Sequence, residues 1–207
     1  MTPTLREEIV STHNSLRSTI NASNMQKMVW DSELASLAQK WADNCEFDHD
    51  NKRRNIPGRF TVGQNLALGH HDWSEALHSW WNEIAEFTYN RQDMELEKVG
   101  HFTQMAWAES VKVGCGWANC TNMAPRLYVC NYSPGGNFEI WKPYEIANDQ
   151  GDRSACSSCP NTCDRNYLCD CGGKACQNGG ILDVNTCQCN CIKSFHTPNN
   201  CARKSIL

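Results

Sequence analysis

The sequence has no apolar run that approaches the roughly 20 residues needed to cross a bilayer, so we expect no membrane-spanning segment. It has no excess of positive charge either. With 19 Lys and Arg against 23 Asp and Glu, the formal net charge of −4 gives no electrostatic reason to expect nucleic acid as a partner. Residues 1–4 lack the basic stretch and the apolar core of a secretory signal, which indicates a mature chain with an added or retained Met1.

Cysteine, by contrast, is abundant. Fourteen cysteines in 207 residues would be hazardous in a reducing cytosol, so their number predicts a secreted, extracellular protein with disulfide bonds. Four of them lie in the first 150 residues, and ten lie between Cys156 and Cys201. The first part is long enough to bury a core, whereas the second has too little apolar content and must be held by disulfides. A polar run near residues 148–152 marks the boundary.

Apolar periodicity in the first part predicts helices followed by strands. The helices are expected over residues 31–44 and about 74–86, and the strands over 111–115 and 127–132. Asp31 is the expected cap of the first of these helices. In the other helix we expect Ile84 to be buried and Trp81 to be partly exposed. Helices packed in layers on a sheet predict an α+β fold.

Residues 100–107 combine one histidine with hydrogen-bonding and large apolar side chains. Such a segment is typical of a polar side chain held by a packed platform at the floor of a cleft. A lone histidine is more often a buried structural residue than a ligand, so His101 needs partners, and the chain offers His49, Gln64 and Glu83. Imidazoles suit zinc or copper. The exposed pair His70–His71 is a competing, weaker site.

Two long segments resemble the signatures of one family. Residues 100–110 are similar to the first signature of the superfamily of cysteine-rich secretory proteins, antigen five and plant pathogenesis-related proteins, the CAP superfamily. Residues 127–138 are similar to its second signature, and residues 13–17 and 41–45 also resemble the family. The resemblance covers residues 5 to about 145, with the two signatures in the family's order.

The resemblance implies a three-layer α-β-α sandwich over residues 1–147, with a large central cleft. In the family the cleft floor carries two histidines, which fall on His49 and His101, and two acidic residues, one of which falls on Glu83. Two histidines with water ligands imply an open zinc site of modest affinity. The second acidic position holds Gln64, which cannot serve as a base and lacks the negative charge that favours a divalent cation.

The resemblance also implies how the cysteines pair. Residues 148–170 resemble the cysteine-rich hinge of venom and reproductive-tract members, and residues 171–207 resemble an EGF-like module instead of the ion-channel regulatory domain found there. That module has no Asp-Glu calcium box, so no calcium is expected. The implied disulfides are Cys45–Cys120, Cys115–Cys130, Cys156–Cys163, Cys159–Cys169, Cys171–Cys187, Cys176–Cys189 and Cys191–Cys201.

We expect a non-enzymatic binding protein whose partner is a lipid or sterol, or a host or receptor protein. Residues 87–99 would cover the family's sterol-binding region, with Met94 and Leu96 as candidate ligand-binding residues. Two alternatives stay open: a metal-dependent hydrolase with Glu83 as general base, and an adhesion or signalling adapter acting through the EGF-like module. No oligomeric state follows from the sequence. Three triplets fit the N-glycan acceptor pattern, at Asn21, Asn119 and Asn131.

Overall fold

The structure is a computed structural model that describes residues 1–52, 61–121, 124–147, 155–192 and 199–202. The helices are α1 (Pro3–Arg17), α2 (Ser32–Ala42), α3 (Trp73–Trp81), a 3-10 helix (Asn82–Glu86) and α4 (Leu96–Met105). The strands are β1 (Val29–Trp30), β2 (Gly63–Leu68), β3 (Lys112–Asn119), β4 (Arg126–Ser133), β5 (Ile181–Asp183) and β6 (Gln188–Asn190). No helix in the described ranges is long and apolar enough to cross a membrane.

The first four strands form one sheet in the order β1-β3-β4-β2, in which β1 pairs parallel with β3 and the other pairs are antiparallel. Alternate residues of β4 face two different helical layers. Val129 packs with Ala38 of α2, whereas Tyr132 packs with Ile9 of α1 and Trp80 of α3. The fold is therefore the α+β, three-layer sandwich that the resemblance implied. Because both sheet faces are covered, the strands are buried on both sides.

The helix α2 can lie close to the sheet because residue 114 of β3 is a glycine, which has no side chain. A Cβ atom on Gly114 of β3 would lie 2.2 Å from the backbone nitrogen of Ala35 and 2.4 Å from the carbonyl oxygen of Asp31. The carboxylate of Asp31 accepts hydrogen bonds from the backbone N–H groups of Glu33 and Leu34 at 3.0 Å, so the predicted cap is confirmed. The cap and the glycine together fix where α2 lies on the sheet.

Two details of the predicted helix over residues 74–86 are wrong. The α-helix ends at Trp81 and continues as a 3-10 helix, whose three residues per turn rotate the later side chains away from the face set by the α-helix. Ile84 is consequently 40% exposed instead of buried. Trp81, expected to be partly exposed, is buried and packs edge-to-face against Phe102 with ring centroids 5.1 Å apart.

A buried arginine joins α1 to the segment that follows α4. The Arg17 guanidinium donates hydrogen bonds to the backbone carbonyl oxygens of Met105 at 2.7 Å and Trp107 at 2.8 Å. It also bonds the carbonyl of Gln26, through Nε at 2.9 Å. Burial lowers the pKa of Arg17 to about 9. This cage of carbonyl oxygens satisfies the charge inside the core and fixes the C-terminal end of α4, the helix that carries His101.

All seven disulfides pair as the resemblance implied. The segment around Leu168 is docked onto the sandwich: Leu168 is fully buried against Met25 and Ala108. The backbone of Cys169 bonds that of Met25 at 2.8 Å and that of Lys27 at 2.9 Å. The predicted boundary at residues 148–152 lies outside the described residues.

Candidate metal-binding cleft

An open cleft of about 480 Å³ lies beside β2, α4 and the loop that follows β4. His49, Gln64 and His101, three of the four residues predicted for the site, line this one cleft. Its other walls include Asn65, Leu96, Glu97, Gln104, Gly136 and Phe138. Two imidazoles that are 52 positions apart in sequence therefore share one solvent-open hollow.

His101 is held by the fourth predicted residue, Glu83. One carboxylate oxygen of Glu83 lies 2.6 Å from Nδ1 of His101, and the other accepts the backbone N–H groups of His101 at 2.9 Å and Phe102 at 3.1 Å. The imidazole also stacks on the Trp80 ring, with centroids 6.0 Å apart and an interplanar angle of 26°. Within the described residues Nε2 of His101 has no hydrogen-bond partner. A carboxylate on one ring nitrogen with the other nitrogen available is the usual arrangement of a metal-ligating histidine.

Gln64 plays the corresponding part for His49. Its Oε1 lies 3.1 Å from Nδ1 of His49 and accepts the backbone N–H of Asp50 at 3.1 Å, while its Nε2 donates to Oδ1 of Asn131 at 3.0 Å. These bonds set the orientation of the amide. Since Oε1 can only accept, Nδ1 of a neutral His49 carries the proton, and the lone pair of the imidazole is on Nε2. The amide of Asn131 in turn donates to the carbonyl of Leu34 at 3.3 Å.

A second buried chain of hydrogen bonds supports the floor from the opposite face of the sheet. Nδ2 of Asn65 donates to the carbonyl of His101 at 3.0 Å, and the Tyr132 hydroxyl lies 3.4 Å from the same nitrogen. That hydroxyl also lies 3.0 Å from Nε2 of His13, whose Nδ1 bonds the carbonyl of Ile9 at 2.8 Å. Burial lowers the pKa of His13 to about 4, so this imidazole is neutral at physiological pH.

Sequence reasoning missed Asn65, Asn131 and Tyr132 as parts of the site. Gln64 pairs across the sheet with Asn131, and Gly63 pairs with Tyr132, so these contacts join residues 67 and 69 positions apart. One signal was available: adjacent polar residues Gln64 and Asn65 inside an apolar strand point to opposite faces, and each must find a buried partner.

The donor set fits a cation held by two imidazoles. Within the described residues, the groups of three or more potential ligand atoms within 4.8 Å of one another consist of disulfide-bonded cysteines, which are not available to a metal. The cleft is thus not a closed four-ligand cage. Two nitrogen ligands and open positions for water suit zinc in an accessible, exchangeable site.

The two residues predicted to contact a ligand are separated in the structure. Leu96, in the first turn of α4, is 49% exposed and lines the cleft. Met94 does not line it; its sulfur instead lies 3.3 Å from the backbone nitrogen of Thr88. The competing pair His70–His71 lies outside the cleft before α3, where Nδ1 of His71 is 3.6 Å from the carboxylate of Asp72.

The sequence matches one protein family and is similar to several of its known members. Residues 10–132 match the family described as "CAP: Cysteine-rich secretory protein family". The chain is 35% identical over 216 residues to cysteine-rich secretory protein 3 of Homo sapiens, covering 93% of this chain and 85% of that protein. It is 37% identical over 207 residues to a cysteine-rich venom protein of Conus textile, covering 92% of this chain but only 64% of the longer relative.

The fold also resembles solved structures. The crystal structure of NaASP2 with Zn²⁺ superposes with a TM-score of 0.67 at 29% sequence identity, covering 82% of this chain and 96% of that one. That protein was therefore solved together with the metal that the donor set of the cleft favours.

Proposed function

Since the chain belongs to the cysteine-rich secretory protein (CAP) family, we propose that it is a secreted, non-enzymatic binding protein whose cleft holds a divalent metal between His49 and His101. Zinc is the metal that we propose. The observation that carries the proposal is that both imidazoles line one cleft while a neighbouring side chain holds Nδ1 of each ring. The solved Zn²⁺ form of NaASP2 supports the choice of metal.

The geometry supports binding over catalysis. A bound zinc ion would supply a Lewis-acidic centre that attracts anionic or carbonyl groups of a ligand. Glu83 already accepts three hydrogen bonds from the ring of His101 and from the backbone, so its role is to orient the histidine. With the neutral amide of Gln64 at the other position, the alternative of a hydrolase that uses Glu83 as its base has little support.

For the organic ligand we retain the lipid, sterol or protein partner expected from the family. Leu96 and Phe138 give the cleft an apolar edge beside the histidines, which favours a ligand with both polar and apolar parts. Met94 lies outside the cleft and becomes a matched control for Leu96. Loss of ligand binding in Leu96→Ser, with binding retained in Met94→Ser, would support contact within the cleft.

For the C-terminal part we propose the cysteine-rich hinge over residues 148–170 and the EGF-like module over 171–207. The last six cysteines pair first with third, second with fourth and fifth with sixth, which fits that module. Docking of Leu168 on the sandwich supports a fixed spacer more than an independent adapter. Among the glycan acceptors, Asn131 is 1% exposed and internally bonded, so we propose Asn21 and Asn119, which are exposed.

The metal proposal is tested by zinc titration against a competing chromophoric chelator. The parent chain is expected to bind one equivalent, and His49→Ala and His101→Ala are each expected to weaken binding by about 100-fold, since one of two protein ligands is lost. His71→Ala, which removes an exposed histidine, is the matched control and should bind as the parent does. Equal binding by all four proteins, or a loss confined to His71→Ala, would refute the proposal.

A further inference from the structure

We propose that Glu97 is a third ligand of the cleft cation and supplies the carboxylate that Gln64 does not provide. The inference rests on the proposed metal site and names an additional residue of this chain within it. It is carried by the position of Glu97 in the cleft, by the lack of an internal partner for its carboxylate, and by the neutral amide at position 64.

The position of Glu97 in the fold brings its side chain to the cleft. Glu97 lines the same cleft as His49 and His101. It lies four residues before His101 on α4, and residues at this spacing share one face of a helix. Helical side chains also tilt towards the N-terminus, so the imidazole of His101 lies over the turn that carries Glu97. The helix therefore places Glu97 and His101 on the same wall of the cleft. Because the ligand atoms of Glu97, His49 and His101, all described residues, do not lie within 4.8 Å of one another, Glu97 has to turn towards the ion to ligate it.

The carboxylate of Glu97 is available to a cation. Within the described ranges, the carboxylate of Glu97 has no hydrogen bond or ion pair, and the residue is exposed. The neighbouring acidic residues are engaged elsewhere: Glu95 lies 3.1 Å from the ammonium group of Lys98, and Glu83 holds His101. Glu97 can therefore turn towards a cation without breaking another described interaction.

The cleft lacks a negative charge at position 64. Gln64 is neutral, and both ends of its amide are used within the protein, by His49 and Asp50 at the oxygen and by Asn131 at the nitrogen. A divalent ion bound by two neutral imidazoles would not contact the carboxylate of Glu83, because that carboxylate lies behind the ring of His101. A second carboxylate on the open side of the cleft adds direct attraction where ligand positions remain.

The test combines zinc affinity with the visible spectrum of the Co²⁺-substituted protein, which reports the ligand set. Glu97→Gln is expected to weaken zinc binding by about 10-fold and to change the Co²⁺ absorption bands, because an anionic ligand is lost. Glu109→Gln, another exposed glutamate but one that does not line the cleft, is the control and should leave both unchanged.

Thermal unfolding separates a metal effect from a helix effect, since a glutamate in the first turn also stabilises α4 through the helix dipole. Suppose that zinc binding by the parent is weakened by His101→Ala, but Glu97→Gln binds zinc as well as the parent and gives the same Co²⁺ spectrum. Only the role of Glu97 is then overturned, and the proposed metal site stands. If the parent binds no zinc, the proposed function fails first and the inference fails with it.

Discussion

The sandwich of residues 1–147 and the C-terminal part of residues 155–202 are stabilised in different ways. In the sandwich, large apolar side chains such as Trp80 and Phe102 fill the space between helices and sheet, and two disulfides supplement them. In the C-terminal part five disulfides take the place of a core, and its buried cluster consists of cysteines. Leu168 is its main apolar contact with the sandwich.

This difference has a functional consequence. Every described residue that lines the cleft belongs to the sandwich. The described hydrogen bonds that hold its two histidines also join residues of the sandwich. The binding site should therefore depend on the apolar core and its buried polar groups, and not on the disulfides that shape the C-terminal part.

The largest effect is expected from removing the buried charge of the sandwich. Arg17→Met would leave the carbonyl oxygens of Gln26, Met105 and Trp107 without the guanidinium donor, and we expect a loss of about 4 kcal/mol in the free energy of unfolding. Arg165→Met, an exposed arginine in the C-terminal part, should change stability by less than about 0.5 kcal/mol. Chemical denaturation measures both, and similar values would contradict the account.

Opening a disulfide of the C-terminal part should destabilise that part and leave the sandwich unchanged. The double variant Cys176→Ser/Cys189→Ser should destabilise β5 and β6 by about 3 kcal/mol, since a loop of 13 residues is no longer closed. Hydrogen exchange should show these strands unprotected, while β3 and β4 keep their protection and zinc affinity stays within about twofold. Loss of protection in β3 and β4 would show that the two parts depend on one another.

Acid should affect the sandwich through His13. The pKa of His13 falls from 6.5 in the unfolded chain to about 4 in the buried site, because burial disfavours the charged imidazole. The neutral ring therefore contributes its full stability above pH 6.5 and loses it as pH falls towards 4, a decrease of about 3 kcal/mol. Stability measured against pH should decline less steeply in this window for His13→Gln; an unchanged slope would exclude His13 as the cause.

The smallest effect concerns the contact between the two parts. Lys27 of the sandwich forms ion pairs with Asp164 at 3.2 Å and Asp170 at 2.8 Å. The hydrogen bond that its ammonium group donates to Asp170 is the main cause of its raised pKa. Because these groups are partly exposed, Lys27→Met should weaken docking by only about 0.5–1 kcal/mol. In Lys27→Met, hydrogen exchange of the Cys169 amide should be faster, while exchange in β3 stays unchanged. Lys40→Met, which removes an exposed lysine of α2, is the matched control and should change neither.

Local patterns predicted the elements whose causes are local. The cap at Asp31 needs only its own helix turn, and the apolar residues that predicted β3 and β4 alternate along each strand. The strand β2 was not predicted because Gln64 and Asn65 interrupt its apolar run, and they are tolerated there only because distant partners bond them. The change to a 3-10 helix after Trp81 likewise has no local signal in the sequence.

Which histidines line the cleft could be predicted from the sequence, but the buried residues that hold them in place could not. The resemblance directed attention to His49, His101 and Glu83, and the structure places two of them in the cleft lining with the third behind His101. The contribution of Asn131 follows from cross-strand register, which no short segment of the sequence contains. The sequence alone does not single out Glu97, because its spacing from His101 carries meaning only when α4 begins at Leu96.

Anomalous diffraction at the zinc absorption edge, from crystals grown with zinc, tests the central claim most directly. The account predicts one strong peak in the cleft, within bonding distance of Nε2 of His49 and Nε2 of His101, and no such peak in crystals of His101→Ala. A zinc peak found at His70–His71 and not in the cleft, or no peak beside the two cleft histidines, would contradict it.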